Sequence, residues 1–475
     1  MRYPFKATAC IAPLFALLVA APASAGWAFA DDKDKEDEAS EDAGADEESD
    51  EEEERWFAAI GGDVHDGLGG VLRGATLLSK NGKIEEIGYD LYLPEDTETL
   101  DATGFQIWPG LVSVASTDLF GGTSALEDTV DPFNRSMVLA LGSGITSAVQ
   151  SNQAAKLKRG EIEGVVMTPK VFASLSYKNS DPRSKTGLEE KLEKAAAYRR
   201  AVMQWEVDVK KDKTLKAPSK KDVDADLLEV LAGTSWAMFS ADERTDLLGI
   251  ARLAQKYGFR PVIEGCTEGW TVADELGRAG AFVVMTPRGR KTKSERVVRD
   301  GGSSIENAAI LHRAGVQVAI VPGTKSISLG GIVGRDMMHL PIEAGFAIRG
   351  GLPEQAALDA ITLVPARLMR VDHRVGSLEV GKDCDLIITD GDVLHYQTFV
   401  QWAVVEGKVA YNKEEELFFA HIRPRPEATL APETKLDAGE TLESEEEEAT
   451  SEGEVVEEVE EEEEEKAEAD DDERR

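Results

Sequence analysis

From residue 57 the chain runs in short apolar stretches punctuated by glycine: FAAIGGDVHDGLGG, then GATLLSKNGKIEEIG from 74 and FQIWPGLVSV from 105. Asn81-Gly82 lies between Ala75-Thr76-Leu77-Leu78 and the apolar positions Ile84 and Ile87. That dipeptide tolerates the positive φ angles of a tight hairpin turn, so the pattern predicts a small antiparallel β unit. SLEVGKDCDLIITDGD from 377 and FVQWAVVEGKVAY from 399 predict a second one. Between them, strand-length apolar runs occur at 144 (GITSAVQ), 235 (SWAMFSA), 260 (RPVIEG), 281 (AFVVMTP) and 316 (VQVAIVPG). Segments 242–257, 271–280 and 304–314 have helical periodicity and alternate with those runs. Such alternation predicts a parallel (β/α) barrel. Residues 178–225, charged and rich in lysine, read as an insertion carrying an exposed helix over 187–206.

Charge changes the picture at both ends. The 475 residues carry a formal net charge of −37, but residues 31–55 hold −13 of it and residues 426–475 hold −20. Neither stretch has the apolar surface to offset the entropy of ordering, so both are expected to be disordered and extended by self-repulsion. The nearly neutral body between them exceeds the size at which one core usually stops growing, which predicts a large barrel or sheet with an accessory module. Acidic ends of this strength would repel phosphate and exclude nucleic acid as a partner. They are suited instead to divalent cations or a basic partner.

Arg2 and Lys6, an apolar run over 11–21 and Ala23-Ser24-Ala25 have the order of an export leader cut after Ala25, or after Ala30 as the alternative. The expected destination is the periplasm or the exterior. No other stretch is long and apolar enough to suggest a membrane span. Cys10 leaves with the leader, and Cys266 and Cys384 are too few for a disulfide framework.

The runs VHDGLGGVLRGATLLSKNGKIEEIG, WPGLVSVAS, DLLGIARLAQKYGFRPVIEG and ALDAITLVPARLMRVDHRVGSLEVGKDCDLIITDGD together resemble the amidohydrolase superfamily, on its imidazolonepropionase-like branch. The resemblance spans about residues 60–415 and is most specific at its C-terminal end. It implies a (β/α)8 TIM-type barrel with a composite β-sandwich domain built from both flanks. The division that follows is leader 1–25, acidic linker 26–55, sandwich 56–107, barrel 108–370, sandwich 371–425 and acidic tail 426–475.

The resemblance also implies a metal site, and the residues at its positions depart from the pattern. In the family the first barrel strand ends in Pro-Gly-Leu followed by His-x-His, two imidazoles that hold a divalent metal. Here Pro109-Gly110-Leu111 is followed by Ala115 and Thr117 at those places, and the fifth-strand histidine matches Ser240. Ala115 has no donor and a neutral hydroxyl is a poor ligand beside an imidazole. The chain has six histidines, at 65, 312, 339, 373, 395 and 421, and no two have the spacing of a metal pair. Of these, His339 is the one expected to be able to reach the barrel mouth.

Two expectations follow. The first is a metal-depleted, inactive homologue with no cofactor, acting as an exported binding or scaffolding protein. Its mouth, lined by Ser116, Thr117, Ser240, Thr267 and Thr324, would hold a small molecule or a protein ligand, and related barrels suggest a homodimer. The second keeps hydrolysis of C–N bonds in amides or cyclic amides. Asp118, Asp242 and Glu264 would then hold a cation such as Mg²⁺ or Mn²⁺, or Zn²⁺ in a rearranged site, or Cys266 would act as nucleophile with Lys325 lowering its pKa.

Overall fold

The computed structural model describes residues 54–122, 125–292, 300–328, 335–416 and 421. The leader, the acidic stretch through residue 53 and the tail 426–475 lie outside the described residues. The first strands are β1 (Trp56–His65), β2 (Val71–Lys80), β3 (Lys83–Gly88), β4 (Glu98–Asp101) and β5 (Gln106–Pro109). Asn81 and Gly82, at φ 49° and 78°, form the two-residue turn between β2 and β3 that the dipeptide predicts.

Next come β6 (Leu111–Ser113), β7 (Ile145–Gln150), β8 (Gln153–Lys156) and β9 (Val166–Thr168). A run of parallel strands follows: β10 (Phe172–Leu175), β11 (Trp236–Ala241), β12 (Pro261–Gly265), β13 (Phe282–Met285) and β14 (Gln317–Ile320). The chain returns to the first sheet with β15 (Leu386–Thr389), β16 (Val400–Val405) and β17 (Lys408–Asn412). One eight-stranded sheet, ordered β17-β16-β15-β5-β1-β2-β3 with β4 beside β1, therefore draws its strands from both ends of the described chain.

Outside the eight-stranded sheet, seven strands pair in parallel among the described residues, β6 with β7 and β10 through β14 in order, where the resemblance implies eight. They lie in two sheets linked by hydrogen bonds at two seams. Val171 N–H donates to Asn152 carbonyl O at one seam, while Ile320 N–H and Val112 N–H donate to the carbonyls of Ala360 and Ile361 at the other. The antiparallel strands β8 and β9 were not anticipated; Ser151 and Asn152, both at positive φ, turn the chain from β7 back into β8.

One apolar cluster takes side chains from all these strands, with Val112, Val149, Phe172, Val262, Phe282, Val284 and Ala319 buried and Trp236 and Met238 packed at its edge. Alternate residues such as Phe239, Ile263, Val283 and Ile320 point to a second cluster with the helices. This two-faced burial explains why the strands read as continuous apolar runs. The helix Arg244–Tyr257 shows the matching pattern, burying Leu247, Ile250, Ala251 and Ala254 on one face before Gly258 ends it in the left-handed region. Helix Pro182–Asp208 is longer than the expected 187–206: Asp181 accepts from the Arg183 N–H and Pro182 occupies the first helical position, a start signal the apolar periodicity does not contain.

A buried ion cluster ties β8 to the eight-stranded sheet. Lys156, fully buried, lies 2.7 Å from Asp383, 2.9 Å from Asp385 and 3.1 Å from Glu406. Lys158 reaches Glu406 at 2.6 Å and Arg374 reaches Asp383 at 2.7 Å. Burial opposes the Lys156 charge, but the surrounding carboxylates outweigh it and hold its pKa above the ordinary 10.5. Burial likewise works against the charges of Asp383 and Glu406, yet Lys156 with Arg374 or Lys158 holds both below their usual range. Asp385, the most deeply buried, is pushed up by that burial.

Candidate functional site

The C-terminal ends of the parallel strands gather several of the residues singled out in the sequence. Ser240 and Glu264 are register partners on β11 and β12, and Glu264 faces Val284 of β13. Lys325, five residues beyond the end of β14, forms an ion pair with Glu264 through Nζ and Oε1, both side chains being part-exposed. Its backbone carbonyl accepts from the Thr117 N–H at 2.7 Å and the Thr117 hydroxyl at 3.2 Å. The loop after β14 is thus pinned across the end of β6, and the first and last parallel strands meet at Thr117 and Lys325. Ser116 is buried and donates to the Val149 carbonyl at 2.9 Å, so it holds strands together and does not face a ligand.

Asp242 is engaged otherwise. Its Oδ1 accepts from the Thr267 N–H at 3.1 Å and from the Thr267 hydroxyl. Asp118 is exposed in the left-handed region at φ 69°. Thr324 is exposed, with its N–H donating to the Arg335 carbonyl at 2.8 Å. Asp242 is taken by Thr267 and Glu264 by Lys325, and no group of three His, Cys, Asp or Glu positioned to hold a metal ion occurs among the described residues.

Cys266 is fully buried and burial, reinforced by Asp242, pushes its thiol far above the ordinary 9.0. Lys325 pairs with Glu264 and does not lower it. Burial of this kind disfavours the thiolate that a nucleophile needs. Ala115 packs against the apolar cluster inside the parallel strands. With Thr117 and Ser240 at the other family positions, the donor set does not fit a divalent metal of the Zn²⁺ type, which takes imidazole, thiolate or carboxylate. His339 is held by Asp336 at 2.6 Å and lines a cavity of about 210 Å³ with His395 and Tyr396.

Sequence reasoning missed a cleft of about 850 Å³ on these strand ends, lined by Thr286, Arg288, Arg290, Arg335, Glu343 and Phe346 among others. The signal was present in TPRGR at 286–290, two arginines directly after a strand, where ligand-binding loops of such folds lie. Arg288 donates from Nε and Nη2 to one oxygen of the buried Glu343, at 2.8 and 2.6 Å, and its guanidinium stacks 4.6 Å from the Phe346 ring centre.

The family model described as "Amidohydrolase family" matches residues 124–412. The chain belongs to the amidohydrolase family. The fold agrees: the solved structure of an amidohydrolase from Thermotoga maritima MSB8 superposes with a TM-score of 0.59 at 21% identity, covering 75% of this chain and all of that one. Among curated relatives, N-acetylglucosamine-6-phosphate deacetylase of Danio rerio is 37% identical over 82 residues, 17% of this chain and 19% of that protein. Amidohydrolase tasK of Hapsidospora irregularis is 26% identical over 95 residues, 20% of this chain and 10% of that protein. The chain thus spans a fifth or less of the length of either relative. The family's strand ends are present in it, and a lysine–glutamate pair occupies the middle of them.

Proposed function

We propose that this amidohydrolase-family chain is a binding or scaffolding protein that works without the family's metal, its parallel strands closed into a (β/α)8-type barrel whose mouth receives a ligand. The observation that carries the reading is the ion pair between Glu264 and Lys325, which puts an ammonium group where a metal site would need an uncommitted carboxylate. Ala115, Thr117 and Ser240 support it by offering no imidazole. Barrel closure is supported by the two seam contacts and by the apolar cluster shared among the parallel strands. The reading includes the domain division at 56–107, 108–370 and 371–425, export directed by residues 1–25, and acidic ends that bind divalent cations or a basic partner.

A second reading, hydrolysis of amide or cyclic-amide C–N bonds, draws on family membership itself, since two of the curated relatives are named deacetylases. Elemental mass spectrometry on the purified chain, paired with hydrolysis assays on Asp118→Ala and Glu264→Ala, separates the two. Under the binding reading Zn, Mn and Fe are well below one per chain once the acidic tail 426–475 is deleted, and no turnover is present to lose. One metal per chain, with turnover abolished in either variant, would establish the hydrolase.

A further inference from the structure

The chain as a whole is strongly acidic, yet the cleft beyond β13 and β14 is lined by three arginines and one acid. The acid, Glu343, is buried and committed to Arg288. Its two contacts and the Phe346 ring fix the Arg288 guanidinium in one plane, so its orientation is set before any ligand arrives. Arg290 and Arg335 are both exposed, and neither meets a carboxylate among the described residues. They approach the cleft from different strand-end loops, one after β13 and one after β14. The hydroxyls of Ser303 and Ser304 belong to the same lining.

Arginine forks match planar or tetrahedral oxyanions, and a cleft of this volume lies in the range of small-molecule sites, roughly 300–1,000 Å³. We propose that this cleft binds a small molecule by a terminal oxyanion, a carboxylate or a phosphate, with Arg290 and Arg335 as the gripping residues and Arg288 as a preset wall. The proposal rests on the reading of the strand ends as a ligand-binding mouth and deepens it by naming the ligand's charged group. It needs no metal.

The test is isothermal titration of the full chain at low ionic strength with inorganic phosphate and, separately, with succinate. It is repeated on the Arg290→Gln/Arg335→Gln double variant and on Arg183→Gln, an exposed cation on the long inserted helix. The expected result is saturation at one site per chain by at least one probe, weakened about tenfold or more in the double variant and unchanged in Arg183→Gln. Whichever probe saturates identifies the oxyanion. Failure of both to saturate by roughly 10 mM, equal binding in the double variant, or equal weakening in Arg183→Gln would each overturn the proposal, the last by revealing diffuse attraction. Both arginines are exposed, so their replacement leaves the core intact, and matching melting curves verify it. A metal found at one per chain would refute the metal-free reading independently of this titration. A null titration on a metal-free chain would remove the cleft proposal alone.

Discussion

Two lysines with carboxylate partners, Lys156 and Lys325, occupy opposite situations in this chain. Lys156 is fully buried and meets three carboxylates, of which Asp383 and Glu406 are also held by Arg374 or Lys158. Lys325 is part-exposed and, among the described residues, pairs with Glu264 alone at the open ends of the parallel strands. A buried charge deprived of its partners cannot be rehydrated without opening the structure, so the first cluster is bound to the fold's integrity. The second can exchange its partner for water or for a ligand at little cost. Stability and binding are thereby assigned to different charges, a separation that substitution can break.

The largest effect is expected at Lys156→Met, which leaves Asp385 without a cation in the interior and takes one of two from Asp383. A loss of about 3–5 kcal/mol in urea unfolding is expected; a loss below 1 kcal/mol would show the cluster to be dispensable.

The pH dependence sharpens the same point. Asp383 and Glu406 have folded pKa values below their ordinary 3.8 and 4.5. Their stabilisation is fully present above those ordinary values and is lost as pH falls through the folded ones. Lys156 is raised above 10.5, so its share is present below that value and lost as pH rises through the folded pKa. Asp385, raised by burial, acts in the other direction: its ionisation costs stability above its ordinary 3.8, and acid relieves that cost. The stability gap between wild type and Lys156→Met should therefore narrow as pH falls below about 4. A gap independent of pH in urea titrations would contradict the ionic account.

Glu343→Ala removes the buried partner of Arg288 and should cost about 1–3 kcal/mol in the same assay, while also weakening binding in the cleft by loosening Arg288. The smallest stability effect is expected for Glu264→Gln and Lys325→Met, within about 1 kcal/mol of wild type. A larger loss would erase the contrast between the two lysines.

Local signals in the sequence were legible where a residue type has one dominant use. Asn81-Gly82 specified its turn. Pro109-Gly110-Leu111 fixed the end of the eight-stranded sheet and the start of the parallel strands, because a Cβ at Gly110 would lie 2.1 Å from the Thr146 Oγ1. What was not legible depends on distant pairing. Lys156 meets partners 227 and 229 positions away, and nothing in KLKRGEIEG announces them. Glu264 and Lys325 were singled out separately, but only the folded chain brings them together, and in doing so it removes both the carboxylate ligand and the cation that would have activated Cys266. The arginine cleft escaped for a similar reason, since Arg288, Arg335 and Glu343 converge from three separate stretches.

The central claim is that the strand-end site operates without a divalent metal. It is tested most directly by the melting temperature of the full chain after EDTA treatment and again after adding back Zn²⁺ or Mn²⁺. A cation bound specifically to the native state stabilises by mass action, about 2.7 kcal/mol at a hundredfold excess over Kd. The account predicts no change at either step. A fall on chelation that Zn²⁺ or Mn²⁺ reverses would contradict it and place a metal among these strand ends.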